Sequence, residues 1–277
     1  MISCETVKEM RDKTPRRICF STTHAGQPKK VNKEGMVGSF SVPFKETIGP
    51  LFKADTDLDL FPNSSRAQFP GFFRTIRSES EFGVVHKWVE RQNTRVFLRD
   101  CLDLSVALGM NYAEESEVHR TPLGELEYQA KYQQNADAVQ KLTEICADTI
   151  KDLSFYRDAD FIAAVPPRSG KKFDLPSTLA QLISKNIVKP DLTGFFNYGG
   201  AKATMKEVGL SDKWVQWEKS DLAFKGVTLH NKKVILVDDL YQSGVSMQYV
   251  AMKLQEAGAA KVYGLSLVKS WKDTDNL

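Results

Sequence analysis

The chain has 277 residues, 42% hydrophobic and 26% charged, the composition of a folded globular protein and not of a disordered one. Its 38 basic and 35 acidic residues leave a net charge of +3, too small a surplus to indicate direct nucleic-acid binding. Nor is the charge gathered into an arm, since residues 1–118 carry 17 basic and 16 acidic side chains. The cysteines Cys4, Cys19, Cys101 and Cys146 form no C-x-x-C pair and no zinc-finger spacing. Isolated thiols suit a reducing compartment. The first residues carry charges where a secretory signal needs an apolar run, and no stretch approaches the roughly 20 apolar residues of a membrane span. The expectation is a cytoplasmic protein with no membrane attachment.

In chain order, the first 115 residues alternate short apolar runs with Gly, Pro, Ser and Asn. Ile18–Ser21, Met36–Val42 and Phe69–Phe73 are such runs, and they predict an α/β or β-rich region. Thr94–Met110 reads either as a strand followed by a helix or as one buried helix, because periodicity does not separate the two. The texture changes near residue 115, which predicts a division into 1–115 and 116–277. Leu123, Leu126 and Ala130 then fall at helical spacing. Ala136–Leu153 is amphipathic, with Ala138, Val139, Leu142, Ile145, Ile150 and Leu153 on its apolar face. Phe161–Val165 predicts a buried strand stopped by Pro166-Pro167, and Leu175–Ile187 a helix. Lys233–Val237 predicts a second strand, Val245–Ala257 a helix closed by Gly258, and Val262–Val268 a third strand. Strand–helix–strand repetition implies a parallel sheet, whose ligands bind at the carboxyl ends of the strands. That rule points to Pro166–Lys171 and to Asp238–Ser246.

The most specific segment is Val234-Ile-Leu-Val-Asp238-Asp239-Leu-Tyr-Gln-Ser243-Gly244-Val-Ser246. A buried strand ends in two carboxylates, and a small, hydroxyl-bearing loop leads into a helix. The helix start offers unpaired N–H groups and the positive end of a dipole, which suit a phosphate. Gly244 lets the backbone approach a ligand closely. Two carboxylates beside a phosphate cradle are useful if they accept sugar hydroxyls or act through a divalent cation. The plainer reading is a pair of turn-capping aspartates. Pro167-Arg168-Ser169-Gly170-Lys171 brings two cations to a turn and suits a diphosphate, with a solvated basic loop as the plain alternative. Lys131 is either a further ligand or an exposed helix lysine. Trp214 and Trp217 read as helix packing more readily than as a base-stacking pair. His24, His86, His119 and His230 have no ligand spacing.

The Asp238–Ser246 segment resembles the motif with which type I phosphoribosyltransferases bind 5-phosphoribosyl 1-diphosphate (PRPP). That motif is an apolar strand, Asp-Asp, an apolar residue, a variable one and Thr-Thr-Gly-x-Thr. Gln242 replaces a Thr or small residue, and Ser stands for Thr at 243 and 246. Three further segments are similar to the ComF-like (competence protein F) branch. They are Arg120–Tyr132, Val165–Phe173 with Leu179–Leu182, and Leu222–Gly226 before the Asp-Asp strand. Together the segments span about His119 to Lys269. The Cys-pair zinc module that usually precedes that branch has no counterpart here.

The resemblance implies a Rossmann-like parallel-sheet domain that binds PRPP with Mg²⁺. Asp238 and Asp239 would hold the ribose hydroxyls and the metal. Tyr241, Gln242, Ser243, Gly244, Val245 and Ser246 would wrap the 5-phosphate. Pro167, Arg168, Ser169, Lys171 and Lys131 would serve the diphosphate side. Three functions follow from it. One is transfer of phosphoribosyl to an unknown acceptor with release of diphosphate. Another is non-catalytic sensing of PRPP or a nucleotide. The third is an effector subunit of a bacterial competence or phage-defence system, working with a nucleic-acid-bound partner. Residues 1–115 would supply an acceptor pocket, a homo-oligomer surface or a protein-partner surface.

Overall fold

The computed structural model describes residues 1–21, 27–63, 71–113, 118–167, 173–200 and 209–271. The first part runs α1 (Cys4–Asp12), β1 (Arg17–Cys19), β2 (Lys29–Lys33), β3 (Met36–Val42), α2 (Ile48–Thr56), β4 (Phe61–Pro62), β5 (Phe72–Ile76), α3 (Glu79–Gln92), β6 (Val96–Leu98) and β7 (Leu104–Met110). It continues with α4 (Pro122–Tyr132), α5 (Ala136–Asp152), α6 (Ser154–Arg157), β8 (Phe161–Ala164), α7 (Leu175–Ile187), β9 (Phe196–Tyr198), α8 (Leu210–Lys219), β10 (Leu222–Phe224), β11 (Lys233–Tyr241), α9 (Val245–Glu256) and β12 (Lys261–Lys269). The helices start and stop where local chemistry demands. Thr121, Asn135 and Asp174 cap α4, α5 and α7 by accepting backbone N–H bonds. Gly258, at φ +98°, closes α9 with Gly258 N–H to Gln255 O and Ala259 N–H to Leu254 O, the paired bonds of a Schellman ending.

Among the described residues six strands form one sheet in the order β1-β6-β7-β12-β11-β8. The run β7-β12-β11-β8 is parallel, and β6 and β1 continue it antiparallel. The chain is therefore α/β with a parallel-sheet core. A second, antiparallel sheet, β2-β3-β5-β4, comes from the first part. Its Phe40, with Phe52 of α2, Trp88 of α3, Phe20 just after β1 and Phe97 of β6 in the large sheet, forms one aromatic cluster. Phe52 meets Trp88 edge to face at 5.0 Å. That contact geometry adds to the burial of the rings and ties the small sheet to the large one.

Two sequence expectations change here. Thr94–Met110 contains no helix: it forms β6 and β7, paired antiparallel through Val96↔Ala107 and Phe97↔Val106. Residues 104–109 are buried throughout, and a strand covered on both faces has the apolar run of a buried helix. The second difference is the length of β11. The strand does not stop at Val237 but stays paired with β12 through Asp238↔Ser266, Leu240↔Val268 and Tyr241↔Lys269. The change of texture near residue 115 coincides with the connection from β7 to α4 and not with a break in the sheet, which takes strands from both sides of it. No helix among the described residues is long and apolar enough to cross a membrane.

Candidate functional site

Side-chain alternation sets the site. Ile235 and Val237 of β11 join the core that holds Ala130 of α4, α5 and α7, while Val234 and Leu236 join the core under α9. Successive strand residues face opposite sides. Beyond β8 the chain therefore turns to α7 on one face, and beyond β11 it turns to α9 on the other. Diverging connections from neighbouring parallel strands leave a crevice at their carboxyl ends. Its rims are Val165–Pro167 and Asp238–Gly244.

Asp239 continues the alternation of Ile235 and Val237 and meets α4. Its Oδ2 lies 3.0 Å from Lys131 Nζ, which is also 3.2 Å from Glu127 Oε1 one turn earlier. The side chains of Lys131, Asp239 and Glu127 are 21%, 13% and 11% exposed, so the pairing is sheltered from water. Burial pulls the Lys131 ammonium down, but the Asp239 and Glu127 carboxylates outweigh it and hold Lys131 above the usual lysine range. Burial, then Asp239, pushes Glu127 up, against the opposing pull of Lys131. Lys131 thus serves two carboxylates and is not an exposed helix lysine. Asp238 Oδ1 accepts the Asp239 backbone N–H at 2.9 Å.

The loop after β11 is braced from behind. Gly244 sits at φ +73° as the residue before α9, and a Cβ there would collide with the Tyr241 ring, so geometry and space both require glycine. Tyr241 is buried and its Oη donates to Asp100 Oδ2 at 2.9 Å. Asp100 also accepts the Leu102 N–H at 3.0 Å. Burial pushes the Asp100 carboxyl up to about 6 despite these bonds. Gln248 accepts the Cys101 N–H at 3.0 Å, locking the first turns of α9 to the same segment. No side chain caps α9, in contrast to α4, α5 and α7. Its first N–H groups, with the dipole behind them, stay available to an anion. Ser246 accepts Trp217 Nε1–H at 3.2 Å, and Val245 is buried.

The other sequence-selected residues fall into three groups. Pro167 borders a groove of about 360 Å³ lined also by Asp174, Ser177, Gln181, Asp191 and Thr193. Arg168, Ser169 and Lys171 lie outside the described residues. Trp217 stacks on Tyr249 at 5.3 Å and Trp214 meets the same ring edge-on at 5.1 Å, so both pack α8 on α9 and neither is free to stack on a base. Among the described residues no three His, Cys, Asp or Glu side chains gather into a metal site.

No family model and no curated protein matches the chain. Solved structures do. The adenine phosphoribosyltransferase of Trypanosoma brucei, in complex with AMP, pyrophosphate and ribose-5-phosphate, aligns with 60% of this chain and 83% of its own at 12% identity and a TM-score of 0.38. The glutamine PRPP amidotransferase of B. subtilis, complexed with ADP and GMP, aligns with 83% of this chain and 46% of its own at 14% identity and a TM-score of 0.37. The adenine phosphoribosyltransferase of Leishmania tarentolae aligns over 62% and 94% at 11% identity and a TM-score of 0.35. The likeness is loose, and what the crevice can bind follows from its own residues.

Sequence reasoning missed Glu127, Asp100 and Gln248. Glu127 had a readable signal, the four-residue spacing to Lys131 on one helix face. Asp100 and Gln248 had none, because their partners lie 141 and 147 residues away.

Proposed function

We propose that the crevice binds PRPP with Mg²⁺ and transfers its phosphoribosyl group to an acceptor nitrogen, releasing diphosphate. The observation that carries this reading is the juxtaposition of an uncapped, glycine-started helix with two carboxylates at the end of the strand feeding it. A phosphate on the N–H groups of α9 leaves Asp238 and Asp239 placed to accept hydroxyls of the attached sugar. Lys131 pairs with the Asp239 carboxylate and fixes its direction. In the reaction the C1–O bond breaks with its electrons leaving on diphosphate, the acceptor nitrogen bonds to C1, and the acceptor loses a proton. Arg168 and Lys171 are assigned to the departing diphosphate from sequence. The donors fit Mg²⁺: they are hard carboxylate oxygens, and this ion takes one or two of them beside the oxygens of its phosphate ligand. Bound there, it would supply charge neutralisation for the leaving group. The finer assignment to the ComF-like branch, and a cytoplasmic site of action in keeping with four free cysteines, belong to the same proposal.

Calorimetry with PRPP, with and without Mg²⁺, tests it. Binding should require Mg²⁺ and vanish in Asp238→Asn/Asp239→Asn. A folded wild type that binds no PRPP refutes the reading. Binding without diphosphate release across a panel of nitrogen acceptors would assign the chain to sensing instead of turnover.

A further inference from the structure

A second cavity lies behind the loop, away from the crevice. It runs between the last turn of α1, the segment at Arg99–Asp100 and residues Tyr241–Ser243. Neither Asp238 and Asp239 nor Val245 and Ser246 line it. Its enclosed part measures about 20 Å³, room for one water-sized group, and it opens to solvent. The wall is cationic. Arg11 and Arg16 both face it, and among the described residues neither forms an ion pair. Arg16 Nε donates to the Arg11 carbonyl at 2.8 Å, which ties the two residues together. Arg11 Nε is buried with no hydrogen-bond acceptor. A buried charged donor without an acceptor is costly and uncommon. The neighbouring charges are already engaged: Arg99 holds Glu46 at 2.8 Å, and Asp100 holds the Tyr241 hydroxyl and the Leu102 N–H.

We propose that this cavity is a second anion site, one that takes a phosphoryl group on Arg11 and Arg16, with Ser243 on the facing wall. Guanidinium groups match the oxygens of a phosphoryl group. Donors from two sides of the cavity, Arg11 with Arg16 and the loop after β11, suit a tetrahedral anion better than a planar carboxylate. The enclosed volume admits one or two of its oxygens and leaves the rest in the mouth. Gln242 and Ser243 belong both to this wall and to the loop after β11, so an occupant here bears on that loop. The site stands whether or not the crevice binds PRPP.

The test is calorimetric titration of the intact chain with inorganic phosphate. Arg11→Gln/Arg16→Gln should weaken binding about tenfold or more, as expected for loss of charge-assisted bonds, and leave any PRPP binding by the crevice in place. Unchanged phosphate affinity overturns the proposal. Should the double variant fail to fold, the wild type answers through arginine modification with phenylglyoxal, mapped by mass spectrometry. Protection of Arg11 and Arg16 by phosphate alone assigns the site to the free anion. Equal protection by adenosine 5′-monophosphate assigns it to a phosphate ester. Modification unaffected by either overturns it.

Discussion

Asp100 makes the loop behind the crevice sensitive to proton uptake, and the size of the effect follows from its position. The residue is 3% exposed, and burial carries its carboxyl from an ordinary value of 3.8 to about 6. The folded protein therefore holds this proton more tightly than the unfolded chain does. For an acid whose folded pKa is raised, the contribution to stability is fully present below about 3.8 and is lost as pH rises through about 6. The loss totals about 3 kcal/mol, from roughly two pH units at about 1.4 kcal/mol each. Asp100→Asn keeps the shape and removes the titration. Urea unfolding of wild type and variant at a series of pH values between about 4 and 8 isolates the residue, because other titrating groups cancel in the difference. Across that range the wild type should lose about 2 kcal/mol more than the variant, a little under half of it by about pH 5. A difference that stays flat with pH would refute the reasoning, since it would mean that Asp100 ionises in the fold as easily as in water.

Three further outcomes are expected. Lys131→Met leaves Glu127 and Asp239 facing each other across the gap, so unfolding stability at pH 8 should fall by about 2–3 kcal/mol, and by less as the pH is lowered, because burial already makes Glu127 easier to protonate; the pH series in urea measures both. Gly244→Ala forces a Cβ into the Tyr241 ring at a positive φ, and should cost about 1–3 kcal/mol in denaturant titration and weaken PRPP binding in calorimetry. Trp217→Phe removes the N–H to Ser246 and shrinks a fully buried ring, so it should cost about 2 kcal/mol from the lost bond and the cavity together, read from the thermal midpoint.

The sequence by itself determined the elements whose signals are local. The buried runs of β8 and β12, the spans of α5 and α7 and the glycine closing α9 all follow from neighbouring residues, and the structure has them within a residue or two of the reading. The Asp238–Asp239 pair before a glycine-started helix was legible for the same reason: strand, turn and helix start are contiguous. Lys131 was legible only as a candidate, since helical spacing says which face a lysine occupies but not what lies opposite. What the tertiary structure decided is long-range. β7 looked equally like a helix because burial on both faces erases alternation, and its pairing with β6 and with β12, more than 150 residues later, makes it a strand. The same holds for Lys131 on Asp239, for Asp100 beneath Tyr241, and for Arg11 and Arg16 beside Ser243. Partners so far apart in the chain are brought together by sheet order and helix packing, which depend on how all the buried faces fit at once and leave no mark at either position alone.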